Sequence, residues 1–164
     1  PCWESAGRLL GAMSVWRVQP DIFCYNSLLS ACGRRHEWAR AFDYLLSFDA
    51  VSLAPDTVSF NTVMDACVEG KRWEFAVSLF QEIRTRCGPP SEISYHTFIN
   101  ASAHRSVTAN ELLSLMEEMR ADNIVPTSTT YDHALGACAS WEGVLAILGK
   151  MRDEMVDPEP TSYV

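Results

Sequence analysis

Apolar residues recur at helical spacing in one kind of segment along the whole chain. In residues 3–15 the spacing of three and four positions places Ala6, Leu9, Leu10 and Met13 on one face of a predicted helix. The same pattern, opened by tryptophan in most copies, predicts further helices at 37–49, 72–86, 109–121 and 141–153. No alternating strand pattern competes with it, so the sequence predicts an all-α protein.

A second recurring segment precedes each of these helices. It begins with proline and carries an aromatic residue followed by a polar one, as in Pro20-Asp21-Ile22-Phe23-Cys24-Tyr25-Asn26 and Pro55-Asp56-Thr57-Val58-Ser59-Phe60-Asn61. Later copies start at Pro90, Pro126 and Pro158. These segments predict first helices at 22–33, 57–68, 92–104 and 128–139. Proline fixes φ and lacks an N–H, so each one is predicted to stop the preceding second helix.

The two helices form a repeat whose starts, at 21, 56, 91, 127 and 159, are 35, 35, 36 and 32 residues apart. Self-similarity at such a period is typical of a solenoid, and we predict a right-handed α-solenoid of helix-turn-helix repeats over the whole chain. Residues 1–20 are the second helix of a truncated repeat, and both ends are expected to be cut from a longer protein. The predicted repeats are 21–55, 56–90, 91–126 and 127–158, and 159–164 begins another.

Tryptophan and cysteine also keep register with the repeat. Trp3, Trp38, Trp73 and Trp141 open the second helices and are predicted to pack between repeats. Cysteine recurs seven residues after the aromatic of the first helix and is predicted to be a small buried residue. No Cys-x-x-Cys pair gives metal-ligand spacing, so neither a metal nor another cofactor is expected. No apolar run is long enough to span a membrane, and no membrane partner is expected.

The motifs in register resemble those of the pentatricopeptide repeat family. The resemblance is carried by Pro-Asp-x-x-x-Tyr/Phe-Asn at the start of the repeat and by Trp-Glu-x-Ala-x-x-Leu-Phe/Leu in its second helix. Tetratricopeptide repeats, the other helical family of similar period, have 34 residues and a Gly-Tyr signature that is missing here. The family resemblance implies single-stranded RNA bound along the first helices. It also implies action in chloroplasts or mitochondria, in RNA processing, stability, editing or translation.

The same resemblance implies which residues read bases. One reader lies early in a first helix and its companion opens the next repeat, giving the pairs Asn26 with Asp56, Asn61 with Ser91, His96 with Thr127, and Asp132 with Glu159. An Asn amide both donates and accepts, so it can match the Watson–Crick edge of a pyrimidine. By resemblance, the first pair favours uracil and the second cytosine, while the other two are outside the familiar combinations. Base-sandwiching positions are Phe23, Val58 and Ile93, with the polar Thr129 departing from the pattern.

The formal charge of −8 and pI of about 4.9 oppose a generic nucleic-acid surface. The acidity is uneven, however. The first helices and their turns carry five basic against six acidic residues, whereas the second-helix segments carry 8 against 14. The turn residues that are candidates for phosphate contacts are Arg34, Arg35, Lys71, Arg72 and Arg105. A solvated turn is the alternative interpretation of each.

The sequence bears on two other classes of function. The histidines are scattered and form no constellation with cysteine or paired acids, so we do not expect an enzyme or a small-molecule substrate. A helical solenoid also presents surfaces to peptides, which makes a tetratricopeptide-like scaffold with other proteins as partners the alternative to RNA binding. The recurrence of asparagine at both 26 and 61 favours RNA, since a peptide-binding array has no need of that register.

Overall fold

The computed structural model describes residues 2–35, 37–105 and 107–156, and within them it contains nine α-helices and no strand. These helices confirm the all-α repeat solenoid that the sequence predicts. Their bounds agree with the predicted ones to within two residues. The contacts divide the chain into two compact units, Pro1–Gly88 and Pro89–Val164.

Where the first unit is described, it forms five helices, with a short 3₁₀ turn at Asp49–Val51. They are α1 (Cys2–Val15), α2 (Ile22–Gly33), α3 (Trp38–Ser47), α4 (Thr57–Glu69) and α5 (Trp73–Arg86). Helix α2 packs against α1, α3 and α4, and α4 packs in turn against α3 and α5. The first helices α2 and α4 are therefore direct neighbours, which brings corresponding positions of consecutive repeats together.

The described residues of the second unit form four helices: α6 (Glu92–Ser102), α7 (Ala109–Ala121), α8 (Ser128–Ala137) and α9 (Trp141–Asp153). Helix α6 continues as a 3₁₀ turn, Ala103–Arg105. First helix α6 packs on first helix α8, and second helix α7 packs on second helix α9. This is the layered arrangement of stacked helix pairs, in which each repeat buries its apolar face against the next.

The predicted apolar face is correct for α5 but not for α1. Ala76, Leu79, Phe80 and Ile83 of α5 are all buried. In α1, by contrast, Leu9 is 58% exposed. Helix α1 packs on α2, and Trp3 and Gly7 in its N-terminal half lie against Arg40 and Tyr44 of α3, while Leu9 stays in solvent.

Two of the tryptophans pack between repeats as predicted. The Arg40 guanidinium of α3 lies 4.0 Å from the centre of the Trp3 ring. Trp38 stacks on Phe75 of α5 at a ring separation of 5.6 Å, with Arg72 4.9 Å from its ring. The prediction is wrong for Trp141, which is 70% exposed. The partners of Trp3 and Trp38 come from the next second helix, and α9 is the last second helix of the described residues.

Left-handed residues, rather than the prolines, end the second helices α1, α3, α7 and α9. Arg17, Ser52, Asn123 and Met155 have φ between 54° and 62°. The residue after each donates its N–H to a carbonyl five positions back, as in Leu53 to Phe48 at 3.1 Å and Ile124 to Met119 at 2.8 Å. This is the Schellman motif, which stops a helix by itself. The prediction that proline is the stop signal is therefore wrong, since each helix ends several residues before it.

The cysteines are packing residues. Cys32 and Cys67 are buried free thiols and Cys138 is half-buried, and burial raises the pKa of Cys67 to about 12. Among the described residues, no group of histidine, cysteine or acidic side chains could hold a metal ion. No helix in the described part of the chain has the length and apolar character to cross a membrane.

Candidate nucleic-acid interface

The first turn of α4 is fixed by a capping box. The Asp56 Oδ1 atom accepts from the Ser59 amide at 2.8 Å, and the Asp56 amide donates to Ser59 Oγ at 3.3 Å. The pairs Ser91 with Ser94 and Thr127 with Thr130 form the same box at the starts of α6 and α8. A capping box satisfies two N–H groups at once, so the residue that opens each of these repeats has a defined position.

Asn26 of α2 reaches across to this turn. Its Nδ2 atom donates to Asp56 Oδ1 at 3.2 Å, and its Oδ1 atom accepts from Ser59 Oγ at 2.6 Å. The two ends of the amide are thereby distinguished, because only the nitrogen can donate to the carboxylate. One Nδ2 proton and one Oδ1 lone pair are left, a donor beside an acceptor.

The carboxyl of Asp56 is ionised at neutral pH. Burial raises its pKa, but hydrogen bonds from the Ser59 amide, the Ser59 hydroxyl and Asn26 lower it by more, and the net pKa lies below the ordinary value. All three donors lie within hydrogen-bond distance of Oδ1, and the single proton of the Ser59 hydroxyl is shared between Asp56 Oδ1 at 2.9 Å and Asn26 Oδ1 at 2.6 Å. Asp56 is thus an anionic anchor for the Asn26 amide.

Exposed apolar side chains lie beside the reader positions. Phe23, Val58 and Ile93 are 76%, 58% and 61% exposed. Each lies three residues before Asn26, Asn61 or His96, and residues at that spacing are neighbours on one helix face. Thr129, three residues before Asp132, is also exposed. On each first helix an exposed aromatic or branched side chain therefore lies next to the predicted reader residue. The predicted reader residue itself is polar.

The second predicted pair is divided between the two units. Asn61 lies on α4 and is 8% exposed. Ser91 is the N-cap of α6, where its hydroxyl accepts from the Ser94 amide at 3.3 Å. Both positions are therefore held on regular elements, one on each unit.

In the third predicted pair, Thr127 is the expected companion of His96, but the His96 ring contacts the hydroxyl of Thr130. His96 Nε2 lies 2.9 Å from Thr130 Oγ1, whereas the hydroxyl of Thr127 donates to Glu92 at 3.3 Å. The His133 ring lies 5.1 Å from that of His96. Burial, followed by the nearby His133, lowers the pKa of His96, while Glu92 opposes the shift. At neutral pH the imidazole is therefore uncharged and offers one donor and one acceptor.

Of the fourth predicted pair, Asp132 is among the described residues and Glu159 is not. Asp132 lies half-buried on α8. Glu159 lies outside the described residues. The assignment of this pair stays a prediction.

The candidate phosphate contacts differ in their surroundings. Arg34 is exposed and donates to the Ser30 carbonyl and hydroxyl at 3.4 and 3.3 Å. It borders a depression between α2 and α4 that is also lined by Asp65 and Glu69. Two carboxylates beside one guanidinium reduce the attraction for phosphate at this point. Arg35 is exposed in the same turn.

The other three candidates lie at later turns. Lys71 is exposed, with a left-handed φ of 57°. Arg72 precedes α5, and its guanidinium lies over the Trp38 ring, so part of it is used in packing between repeats. The side chain of Arg105 lies outside the described part of the structure.

Sequence reasoning missed the hydroxyl at the third position of the first helices. Ser59 and Thr130 are fully buried, and each contacts the predicted reader residue of the preceding repeat. The available signal was a serine or threonine four residues after Pro55, Pro90 and Pro126. Cys24 occupies the corresponding place after Pro20.

The architecture and the repeated first-helix face define this protein as an α-solenoid of helix-turn-helix repeats. Two sequence profiles match it: "Pentatricopeptide repeat domain" over residues 8–72 and "PPR repeat family" over residues 55–104. Together they cover residues 8–104, more than half of the chain. The chain belongs to the pentatricopeptide repeat family. A sequence comparison with curated proteins finds no match.

Solved structures of the family share the fold. The pentatricopeptide repeat protein PPR10 from maize superimposes with a TM-score of 0.77 and 25% identity over 98% of this chain. PPR10 in complex with an 18-nucleotide psaJ RNA element gives 0.72 and 22% over 94% of this chain. This chain spans 23% of the PPR10 chain in both comparisons. The PPR domain of Arabidopsis thaliana protein-only RNase P 1, in complex with tRNA, gives 0.77 at 18% identity, covering 98% of this chain and 86% of that one.

Proposed function

We propose that this protein binds single-stranded RNA through its first helices, one base to each reader position. The observation that carries the proposal is the Asn26 amide, held by Asp56 and Ser59 with one donor and one acceptor left over. Uracil offers N3–H beside a carbonyl oxygen, so it pairs with such an amide. The exposed ring of Phe23, three residues away, supplies a surface on which a base can stack.

The structural relatives support the same class of ligand. Two solved structures with this fold contain RNA, an 18-nucleotide psaJ RNA element in one and tRNA in the other. By family resemblance, Asn26 with Asp56 selects uracil and Asn61 with Ser91 selects cytosine. Stacking on aromatic or apolar side chains contributes about 1–3 kcal/mol per base. With two such positions and few basic groups, the chain should bind RNA weakly and best at low salt.

The test is fluorescence anisotropy with labelled adenosine decanucleotides that carry UC, CU, CC or UU at the centre, measured at low salt. We expect the UC or CU oligonucleotide to bind more tightly than a decanucleotide that contains only adenosine. The double variant Asn26→Ala/Asn61→Ala should lose this preference. The matched control is Asn110→Ala, which removes an exposed asparagine from the second helix α7 and should bind like wild type.

The result that contradicts the proposal is equal binding to all sequences, or binding unchanged in the double variant. Either outcome favours the scaffold function, in which the apolar side chains of the first helices contact a protein. Phe23→Ala adds a second criterion, because losing one stacked base should weaken RNA binding about 5-fold or more.

We further propose a role in organellar RNA metabolism, as a binding protein without catalysis of its own. Family resemblance supports the organelle, with processing, stability, editing and translation as the candidate steps. Ultraviolet crosslinking of the tagged protein in cells, followed by sequencing of the bound RNA, should return chloroplast or mitochondrial transcripts. Recovery of nuclear-encoded transcripts instead would contradict this proposal.

A further inference from the structure

We propose that the buried hydroxyl at the third position of a first helix is a positioning residue for the base reader of the preceding repeat. In this chain Ser59 serves Asn26 and Thr130 serves His96. The inference rests on the proposed function, since it assigns a part of the specificity of the same site to residues outside the reader pairs.

The geometry recurs in both units of the protein. Ser59 Oγ lies 2.6 Å from Asn26 Oδ1, 33 residues away, and Thr130 Oγ1 lies 2.9 Å from His96 Nε2, 34 residues away. Both hydroxyl residues are 0% exposed. The readers differ in chemistry, an amide in one case and an imidazole in the other. The same contact is made by an amide in one repeat and by an imidazole in another. A hydroxyl can donate or accept, so it can serve both readers, and it is the feature that the two sites share.

Helix capping alone does not explain the hydroxyl. Helix α2 begins with Asp21, whose Oδ1 atom accepts from the amide of Cys24 at 2.9 Å. Cys24 stands at the third position of that helix, where Ser59 stands in α4. An aspartate therefore caps this kind of helix without a hydroxyl three residues on. In α4 the Ser59 oxygen accepts from the Asp56 amide, and the shorter of the two contacts open to its proton is the one to Asn26 Oδ1, at 2.6 Å against 2.9 Å for Asp56 Oδ1.

The hydroxyl acts on Asn26 by fixing the rotation of the amide. Asp56 accepts from the nitrogen, and Ser59 donates to the oxygen, so the amide is held at both ends. Without the second contact the amide can turn about its terminal bond while keeping one hydrogen bond to Asp56. The donor and acceptor then no longer stay in the plane that a bound base requires. The expected loss is in discrimination between bases more than in affinity.

The experiment compares three substitutions at one position. Ser59→Cys reproduces the aspartate–cysteine start of α2 and replaces a good donor by a weak one. Ser59→Ala removes the donor, and Ser59→Thr restores it with the residue that stands at position 130. Thr108→Ala, in the capping box of α7, is the matched control for losing a cap without a reader nearby.

The readout is the ratio of the dissociation constant for the CC oligonucleotide to that for the tighter of UC and CU. We expect Ser59→Cys and Ser59→Ala to lower the ratio by about 3- to 10-fold, the factor contributed by one net hydrogen bond. Ser59→Thr should keep it within about 2-fold of wild type. Thr108→Ala should lower the melting temperature and leave the ratio unchanged.

A second readout needs no RNA. In the free protein the Nδ2 protons of Asn26 should resonate away from their positions in a free asparagine and exchange slowly with water in wild type and Ser59→Thr. They should approach the behaviour of a free asparagine in Ser59→Cys and Ser59→Ala. Unchanged selectivity in those two variants overturns the inference, as does an unchanged Asn26 amide. A wild-type protein without base preference refutes the proposed function instead, so the two failures are distinguishable.

Discussion

Gly70 ends helix α4 against the face of Trp38, and a methyl group added there has no room. A Cβ atom at this position would lie 2.5 Å from Trp38 Cδ1 and 2.9 Å from its Cγ. Carbon atoms in van der Waals contact are about 3.5–4.0 Å apart, so the indole would have to move by about 1 Å. The backbone itself does not demand glycine, since φ is −76° and ψ is 3°. The effect of Gly70→Ala is therefore one of packing.

Trp38 is poorly placed to move. Phe75 stacks on it, and the Arg72 guanidinium lies over its ring. Overpacking of this kind costs about 1–3 kcal/mol. The alanine recovers up to about 1 kcal/mol from the lower entropy of the unfolded chain. We therefore expect Gly70→Ala to lower the free energy of unfolding by about 1–2 kcal/mol.

Urea denaturation followed by circular dichroism measures this change. Gly149→Ala in α9 is the matched control, because nothing lies within 4 Å of its Cβ position. It should raise the stability by about 0.5–1 kcal/mol, so the same substitution changes sign with its surroundings. In the background of Trp38→Ala, the penalty of Gly70→Ala should vanish, since the obstructing ring is gone. A Gly70→Ala protein as stable as wild type would refute the reasoning.

Two further predictions concern the second unit. Tyr131→Phe removes a fully buried hydroxyl that donates to Glu154 at 2.6 Å. Urea denaturation should show a loss of about 1–3 kcal/mol in the free energy of unfolding. A loss below about 0.5 kcal/mol would mean that Arg120 and Lys150 satisfy Glu154 without this hydroxyl. Because the pKa of His96 is lowered in the folded state, the unfolded chain takes up its proton first, and stability should fall as the pH drops below about 6.5. The variant His96→Gln should lose less stability between about pH 7 and pH 5 than wild type, and equal pH profiles would contradict the assignment.

The sequence predicted most of the fold because its signals are local. Helix bounds follow from apolar spacing and capping residues, and their recurrence fixed the period. The helix stops were assigned to the wrong residue. Proline is visible in a sequence, whereas the left-handed backbone of Ser52 or Met155 is not marked by residue type. Leu9 was predicted to face other helices, but the periodicity of α1 does not reveal which neighbours it has.

The site was predictable only in part, because its contacts join residues about one repeat apart. The resemblance indicated that Asn26 and Asp56 belong together, and the structure joins them by a hydrogen bond. It gave no role to Ser59, which looks like an ordinary capping residue when α4 is considered alone. Arg72 illustrates the converse case. Its charge predicts a phosphate contact, which stays a prediction, and its packing over the Trp38 ring of the preceding repeat could not be read from the sequence.

The cluster of Asn26, Asp56 and Ser59 has a consequence for anyone who recombines such repeats. The folding unit runs from one inter-repeat loop to the next, but the atoms that would contact one base come from α2 and from the first turn of α4. A repeat transplanted between its loops would carry Asn26 and leave both of its anchors behind. Grafts should therefore be joined after Ser59, inside the helix, so that each transferred segment brings its own anchors.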